Sequence, residues 1–229
     1  MEGVTIIIPV KDEESGLEYL VEDFEQSEIG NDYEIKFIFV IDERTSDNSR
    51  EIAGKLSDRI IDQRGSHGKG DAIRQAVSSW NEDESDFVIF LDADGSYSFR
   101  AVRDLILRLG EGPDIVSGSR FLEKRGKPEG MSYLHNFGNH ALSLFSSIRN
   151  RRKITDLCTG IWGFRGSIMG LIPINSKGFD LEAELAGNAR RLKLEHVEVP
   201  VEWSQRKGGT SKLRSIRDGL IIFFRILLT

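Results

Sequence analysis

The chain has 229 residues, 39% hydrophobic and 30% charged, which is the size and make-up of one soluble globular domain with no low-complexity tract. A formal net charge of −6 gives no reason to expect a nucleic-acid partner, and a lone cysteine, Cys158, excludes an internal disulfide framework and suits a reducing compartment. No charged and apolar leader precedes the first strand, so no signal peptide is expected. The longest late apolar run, 220–224, is broken by Arg225 and falls short of a membrane span.

In chain order, VTIIIPV (4–10) is a β-branched run ended at a proline and reads as a buried strand. Leu17, Leu20, Val21 and Phe24 then recur at helical spacing over 13–27. IKFIFVI (35–41) predicts a second buried strand, followed by a polar turn, a short helix over 47–56 and a third strand at 59–62. GSHGKG (65–70) is a glycine-rich loop opening a helix, and DFVIFLD (86–92) is the fourth strand. A helix over 98–109, closed by Gly110, leads to a strand at 113–119. Beyond about residue 125 the pattern changes to a helix near 132–148, a basic cluster at 149–153 and a glycine-rich segment at 159–167. An acidic helix near 180–191, a strand at 195–203 and a helical stretch at 215–228 complete it.

Strands alternating with helices predict an α/β fold with a mostly parallel central sheet flanked by helices in a single domain. Ligands of such sheets sit beyond the carboxyl ends of the strands. The turns 9–14, 42–47 and 92–94 all fall there, so three acidic turns converge on one edge. Two carboxylates one residue apart, Asp92 and Asp94, either repel each other or share a cation. A hard divalent ion is commonly held by one or two carboxylates plus substrate phosphates. Acids outnumber bases more than twofold over 1–100, and the balance reverses over 101–229. That is an uneven solvated surface, or an acidic, metal-collecting half joined to a basic half that meets an anion.

GSHGKG fails the phosphate-loop pattern, because the spacing before Lys69 is short and Gly70 stands where Ser or Thr belongs. The four histidines lack metal-ligand spacing. RKGGTSKL (206–213) is an ordinary solvated loop or a cationic flap around a phosphate. The helix after it mixes arginines with Leu220, Ile221, Phe223 and Phe224, which suits either an anionic membrane surface or a buried terminal helix.

Together these motifs resemble the family-2 inverting glycosyltransferases of GT-A fold, and among them the dolichol-phosphate mannose synthase-like polyprenol-phosphate glycosyltransferases. IIIPVKDEES resembles the first strand and its I-P-x-x-N-E-E turn, with Asp12 for Asn; VIDERTSDNS resembles V-V-D-D-G-S-T-D-G-S, with Glu43 for the second Asp. FLDADGS is the D-x-D segment, GSR (118–120) and TDLCTGIWGFR (155–165) match further motifs, and RKGGTSK fits R-x-x-G-x-S-K. Glu184 stands at the acidic-helix position, fourteen residues before EVP (198–200).

The resemblance implies a GT-A catalytic domain over 1–213 and a C-terminal amphipathic helix over 214–229 as a candidate membrane-interface element. It implies that Pro9, Val10, Glu13, Asp42 and Asp92 line the nucleotide sugar, and that Asp92 and Asp94 hold Mg²⁺ or Mn²⁺ with the donor diphosphate. Arg120, Arg206 and Lys212 would meet phosphates as part of the catalytic set, with His135 and Ser211 also on the acceptor phosphate. His135 replaces the family's Arg before Gly138-Asn139, which makes that acceptor contact dependent on pH. The implied reaction moves a sugar, of GDP-mannose or UDP-glucose type, onto a polyprenol such as dolichyl phosphate, in an enzyme peripheral to the cytoplasmic face of a membrane. Two alternatives stand beside it: a soluble transferase acting on a sugar hydroxyl, with Glu184 or Asp156 as base, and a catalytically silent scaffold of the same fold.

Overall fold

The computed structural model describes residues 1–57, 59–81, 85–123, 127–208 and 215–229. Seven strands form one sheet in the order β3-β2-β1-β4-β6-β5-β7. They are β1 (Gly3–Val10), β2 (Glu34–Asp42), β3 (Ile60–Gln63), β4 (Phe87–Leu91), β5 (Ile115–Ser119), β6 (Ile161–Arg165) and β7 (His196–Pro200). All neighbours are parallel except β6, which runs antiparallel to both β4 and β5. The helices are α1 (Glu14–Ser27), α2 (Ser49–Leu56), α3 (Lys69–Ser79), α4 (Phe99–Gly110), α5 (Tyr133–Asn150), α6 (Gly166–Met169), α7 (Leu181–Arg191) and α8 (Ser215–Leu228).

The alternation of side chains along each strand divides the interior into two cores, one on each face of the sheet. Val4, Ile6 and Ile8 of β1 join Phe37, Phe39 and Ile41 of β2 on one face, where Leu17 and Leu20 of α1 and Val102, Leu105 and Leu109 of α4 cover them. Ile7, Ile38 and Val40 point the other way, onto Ala72, Ile73 and Ala76 of α3, Leu181 and Leu185 of α7, and Ile222 and Ile226 of α8. Both faces are covered, which is why these strands read as unbroken apolar runs.

Two expectations are corrected. The glycine-rich segment 159–167 contains the strand β6, with Trp162 and Phe164 inserted between β4 and β5. Its Gly163 is closely packed: a Cβ there would lie 2.9 Å from Ile89 Cδ1 and 3.0 Å from Leu109 Cδ1, so those side-chain ends would have to shift. Gly110 does not close α4 either; it is the last helical residue, and Gly112 takes the left-handed turn at φ +133°.

The chain lays β1, β2 and β3 outward in one direction and then returns to place β4 on the other side of β1. The carboxyl ends of β1 and β4 therefore flank the point where strand order reverses, the place where a crevice opens in such sheets.

Candidate active site

A cavity of about 1250 Å³ opens at that crevice. Pro9 and Val10 from β1, Asp42 from β2, Asp92 and Asp94 after β4, Arg120 after β5, His135 from α5 and Arg206 all line it. Glu13 joins them, so nine of the eleven residues expected at the site are brought together, while Ser211 and Lys212 lie outside the described residues.

The acidic turns divide their labour. Asp12 sits at φ +46°, a left-handed conformation that Asp and Asn tolerate best, and its Oδ1 accepts the Ser46 N–H at 2.8 Å. Asp47 Oδ2 accepts the Glu14 N–H at 3.1 Å and Ser49 Oγ accepts the Glu13 N–H at 2.9 Å. These acids stitch the turn after β1 to the turn after β2. The backbone of α1 also touches that of the D-x-D turn, since any Cβ on Gly16 would collide with Ala93 and Asp94.

Asp92 lies deep in the cavity, where Lys69 Nζ donates to its Oδ1 at 2.6 Å and to Glu182 Oε1 at 2.7 Å. Burial disfavours the charge on Lys69, but the two carboxylates outweigh it and push its pKa up, so the ammonium stays charged. Burial, reinforced by the neighbouring Asp94, pushes Asp92 upward against the pull of Lys69. Asp94 Oδ1 accepts the Ser96 N–H at 3.0 Å. Oδ2 of each aspartate has no protein partner among the described residues, and a side chain at Gly160 would collide with the Asp92 carboxylate.

Two hard oxygen donors with room beside them fit a divalent ion whose other ligands are diphosphate oxygens and water. Among the described residues no group of three or more His, Cys, Asp or Glu is placed to hold a metal ion.

Arg120 is held bidentately by Asp156, Nε at 2.6 Å and Nη2 at 2.7 Å, and Nη2 also donates to the Cys158 carbonyl at 2.9 Å. Asn139 Nδ2 donates to Asp156 Oδ1 at 2.8 Å, and Glu198 Oε1 accepts the Asp156 N–H at 3.0 Å. The β5 end and the loop before β6 are therefore one fixed unit. Burial pushes the Cys158 thiol up to about 12, which leaves it protonated and without nucleophilic character.

Arg206 Nη2 donates to both Glu13 oxygens, at 2.9 and 2.8 Å, and the Lys207 N–H donates to the Asp94 carbonyl at 3.0 Å. Lys207 Nζ lies 4.3 Å from the Tyr19 ring centre. The cationic segment that leads into 209–214 is anchored directly on the D-x-D turn.

Glu184 does not line this cavity. Its carboxylate accepts N–H groups from Asn175 at 2.9 Å and Ser176 at 2.7 Å, fixing the loop before α7. Two residues along a helix turn through about 200°, so Glu182 is the acid of α7 that enters the cavity. Lys69 and Glu182 are the members of the site that the sequence reading missed. Lys69 stood in a loop already singled out, but testing that loop as a phosphate loop tested the wrong chemistry.

Residues 5–171 match Glycosyl transferase family 2. The chain belongs to that family. Among its relatives, glycosyltransferase AglJ of Haloferax volcanii is 28% identical over 98% of this chain and 71% of its own. Dolichol-phosphate mannosyltransferase of Pyrococcus furiosus is 27% identical over 92% of this chain, which spans only 59% of that protein. The UDP-N-acetylglucosamine–dolichyl-phosphate N-acetylglucosaminyltransferase of Methanococcus voltae is 21% identical over 98% of this chain and 95% of its own. The fold is that of glucosyl-3-phosphoglycerate synthase from Mycobacterium tuberculosis, with TM-score 0.72 at 17% identity over 99% of this chain and 79% of that one. This family-2 member is a glycosyltransferase of GT-A architecture.

Proposed function

We propose that this glycosyltransferase moves a sugar from a nucleotide sugar to the phosphate of a membrane polyprenol such as dolichyl phosphate, working peripherally at the cytoplasmic face of a membrane. One observation carries the reading. The cavity that holds Asp92 and Asp94 is also lined by Leu134, Leu142, Ile216 and Leu220, from α5 and α8. The outer faces of those two helices are apolar and exposed: Leu134, Phe137, Leu144 and Ile148 on α5, Leu220, Phe224 and Leu227 on α8. A polar head in the crevice with an apolar tail leaving between the helices fits that combination; a free sugar does not. Arg149, Arg151 and Lys153 follow at the end of α5, where anionic headgroups would meet them. The dolichyl-phosphate transferases among the relatives support the same acceptor.

The transfer itself asks little proton chemistry of the protein. A phosphate monoester with a second pKa of about 6 is already largely ionised near neutrality. Its oxygen forms the bond to the anomeric carbon while the bond to the nucleoside diphosphate breaks, the electron pair leaves with the diphosphate, and the carbon inverts. No base is needed, in keeping with Asp156 and Glu184, whose oxygens are engaged by Arg120, Asn139, Asn175 and Ser176. Mg²⁺ or Mn²⁺ on Asp92 and Asp94 would supply positive charge beside the leaving diphosphate. Lys69 keeps the floor of that site from becoming a cluster of bare carboxylates, and Arg206 with Lys207 brings the cationic segment against it.

The test is a screen of nucleotide sugars against dolichyl phosphate in vesicles, with added metal and with excess chelator. Transfer that survives the chelator undiminished would remove the metal assignment, and failure of every donor would remove the acceptor.

A further inference from the structure

Three helices end together at a corner of the molecule remote from the cavity. Arg152, just past α5, donates from Nη2 to the Leu194 carbonyl at 3.2 Å, and Arg190 of α7 donates from Nη2 to the Thr229 carbonyl at 2.6 Å. Leu194 lies just beyond α7 and Thr229 just beyond α8, so these two bonds gather the ends of α5, α7 and α8. The segments that meet there, RNRRK (149–153) and RRLK (190–193), carry seven arginines and lysines and no acid. Arg151, Lys153, Arg191 and Lys193 are exposed. Arg191 Nη2 donates to Asn188 Oδ1 at 2.9 Å, a neutral acceptor that leaves its charge uncompensated.

Helix ends alone do not account for this cluster. Cations in the last turn complement the helix dipole, and Arg149 in α5 with Arg190 and Arg191 in α7 already do so. Arg151 and Lys193 stand beyond the helices at φ +51° and +58°, the left-handed conformation that glycine takes without steric cost. The chain thus keeps a charge at two positions where the backbone favours glycine. The corner also borders apolar surface: Ile148 in the last turn of α5 and Leu228 at the end of α8 are 67% and 81% exposed. Cations beside exposed apolar side chains suit an anionic bilayer, whereas an acidic protein would meet the cations alone.

We propose that this corner binds anionic phospholipid headgroups and so pins the far end of the α5–α8 face to the bilayer. The proposal rests on the membrane reading above and adds an orientation to it. Leu134 and His135 at the start of α5, and Ile216 at the start of α8, line the cavity. The 18 residues of α5 span about 27 Å. With the cavity mouth at one end of that helix and the cations at the other, contact at both ends lays the apolar face flat. The mouth is then held against the lipid from which the acceptor comes.

Cosedimentation of the full chain with vesicles of phosphatidylcholine, alone or with phosphatidylglycerol added, tests this without donor or acceptor. The anionic lipid should tighten binding. In the double variant Arg151→Gly and Lys193→Gly, partition onto the anionic vesicles should fall about twenty- to thirtyfold, because each base near such a surface contributes about fivefold. Binding to phosphatidylcholine alone should stay at the wild-type level, and so should the melting temperature, since glycine suits both turns. Lys36→Gln with Lys55→Gln removes the same charge from exposed positions on β2 and α2 and should change neither partition nor melting. Unreduced binding of the glycine variant, or an equal loss in the glutamine control, would overturn the corner and leave the membrane reading standing. Sedimentation of the wild type with neither vesicle would overturn both. Tight binding to polyglutamate with no gain from phosphatidylglycerol would assign the corner to an acidic protein instead.

Discussion

Lys69 is the residue on which the charge of the site turns. Its ammonium separates Asp92 from Glu182 at 2.6 and 2.7 Å, with the lysine side chain only 12% exposed. Removing one partner of such a group leaves uncompensated charge and costs about 3–5 kcal/mol. Lys69→Met should therefore melt well below wild type, and excess Mg²⁺ should restore part of the loss, because a divalent ion offers Asp92 the charge it lost. Equal melting temperatures without metal would contradict the role. Asp94→Asn is nearly isosteric and opens no cavity, so it should leave the melting curve intact and abolish transfer; wild-type turnover would remove Asp94 from the site. His196 makes a different prediction. Burial, with the nearby Arg152 charge, pushes its pKa from 6.5 down to about 3. The unfolded chain takes up a proton as pH falls below about 6.5 that the folded chain refuses until about 3. Stability contributed by this residue is thus whole above 6.5 and drains away through that window, by about 1.4 kcal/mol for every pH unit crossed. Denaturant midpoints at several pH values should fall less steeply in His196→Gln, which keeps a polar group for Ser117 Oγ, 2.8 Å away.

At the scale of elements, α8 has two faces with two jobs. Ile222 and Ile226, at 5% and 2% exposure, belong to the second core, while Leu220 and Phe224, at 55% and 59%, face outward. Ile222→Ala should cost about 2–5 kcal/mol in denaturant unfolding. The pair Leu220→Glu and Phe224→Glu should leave stability near wild type and sharply reduce cosedimentation with anionic liposomes. Unreduced cosedimentation of that folded variant would detach the membrane from this face. Sequence periodicity offered a buried helix or a membrane helix as alternatives, but a helix packed on α5 and α7 along one side presents both surfaces at once. The same limit explains the misassigned acid on α7. Spacing to a downstream motif pointed to Glu184, whereas the phase of the helix against its preceding loop decides that Glu182 enters the cavity. β6 was hidden because Gly160, Gly163 and Gly166 read as loop, whereas in the fold Gly163 sits within a strand under the closely packed side chains of Ile89, Leu105 and Leu109.

For the whole molecule, the parallel strands and the place where their ends converge were legible. In a chain that alternates strand and helix, a continuous apolar run is a strand covered on both faces, and the acids that end it mark the carboxyl edge of the sheet. Asp92, Asp94 and Asp42 followed directly from that placement. The ion pairs that fix the site, Arg120 with Asp156 and Arg206 with Glu13, join residues far apart in sequence and could be found only in the fold. They rest on a scaffold whose crevice is acidic at the strand ends and apolar between α5 and α8. That polarity is the basis for a lipid phosphate as acceptor, and a comparison of dolichyl phosphate with dolichol in identical vesicles isolates it, since only the phosphate differs. With labelled nucleotide sugar and Mg²⁺, the label should move to dolichyl phosphate with inversion of the anomeric carbon, and dolichol should accept none. Transfer to dolichol or to a free sugar hydroxyl at a rate matching or exceeding that to dolichyl phosphate would contradict the account.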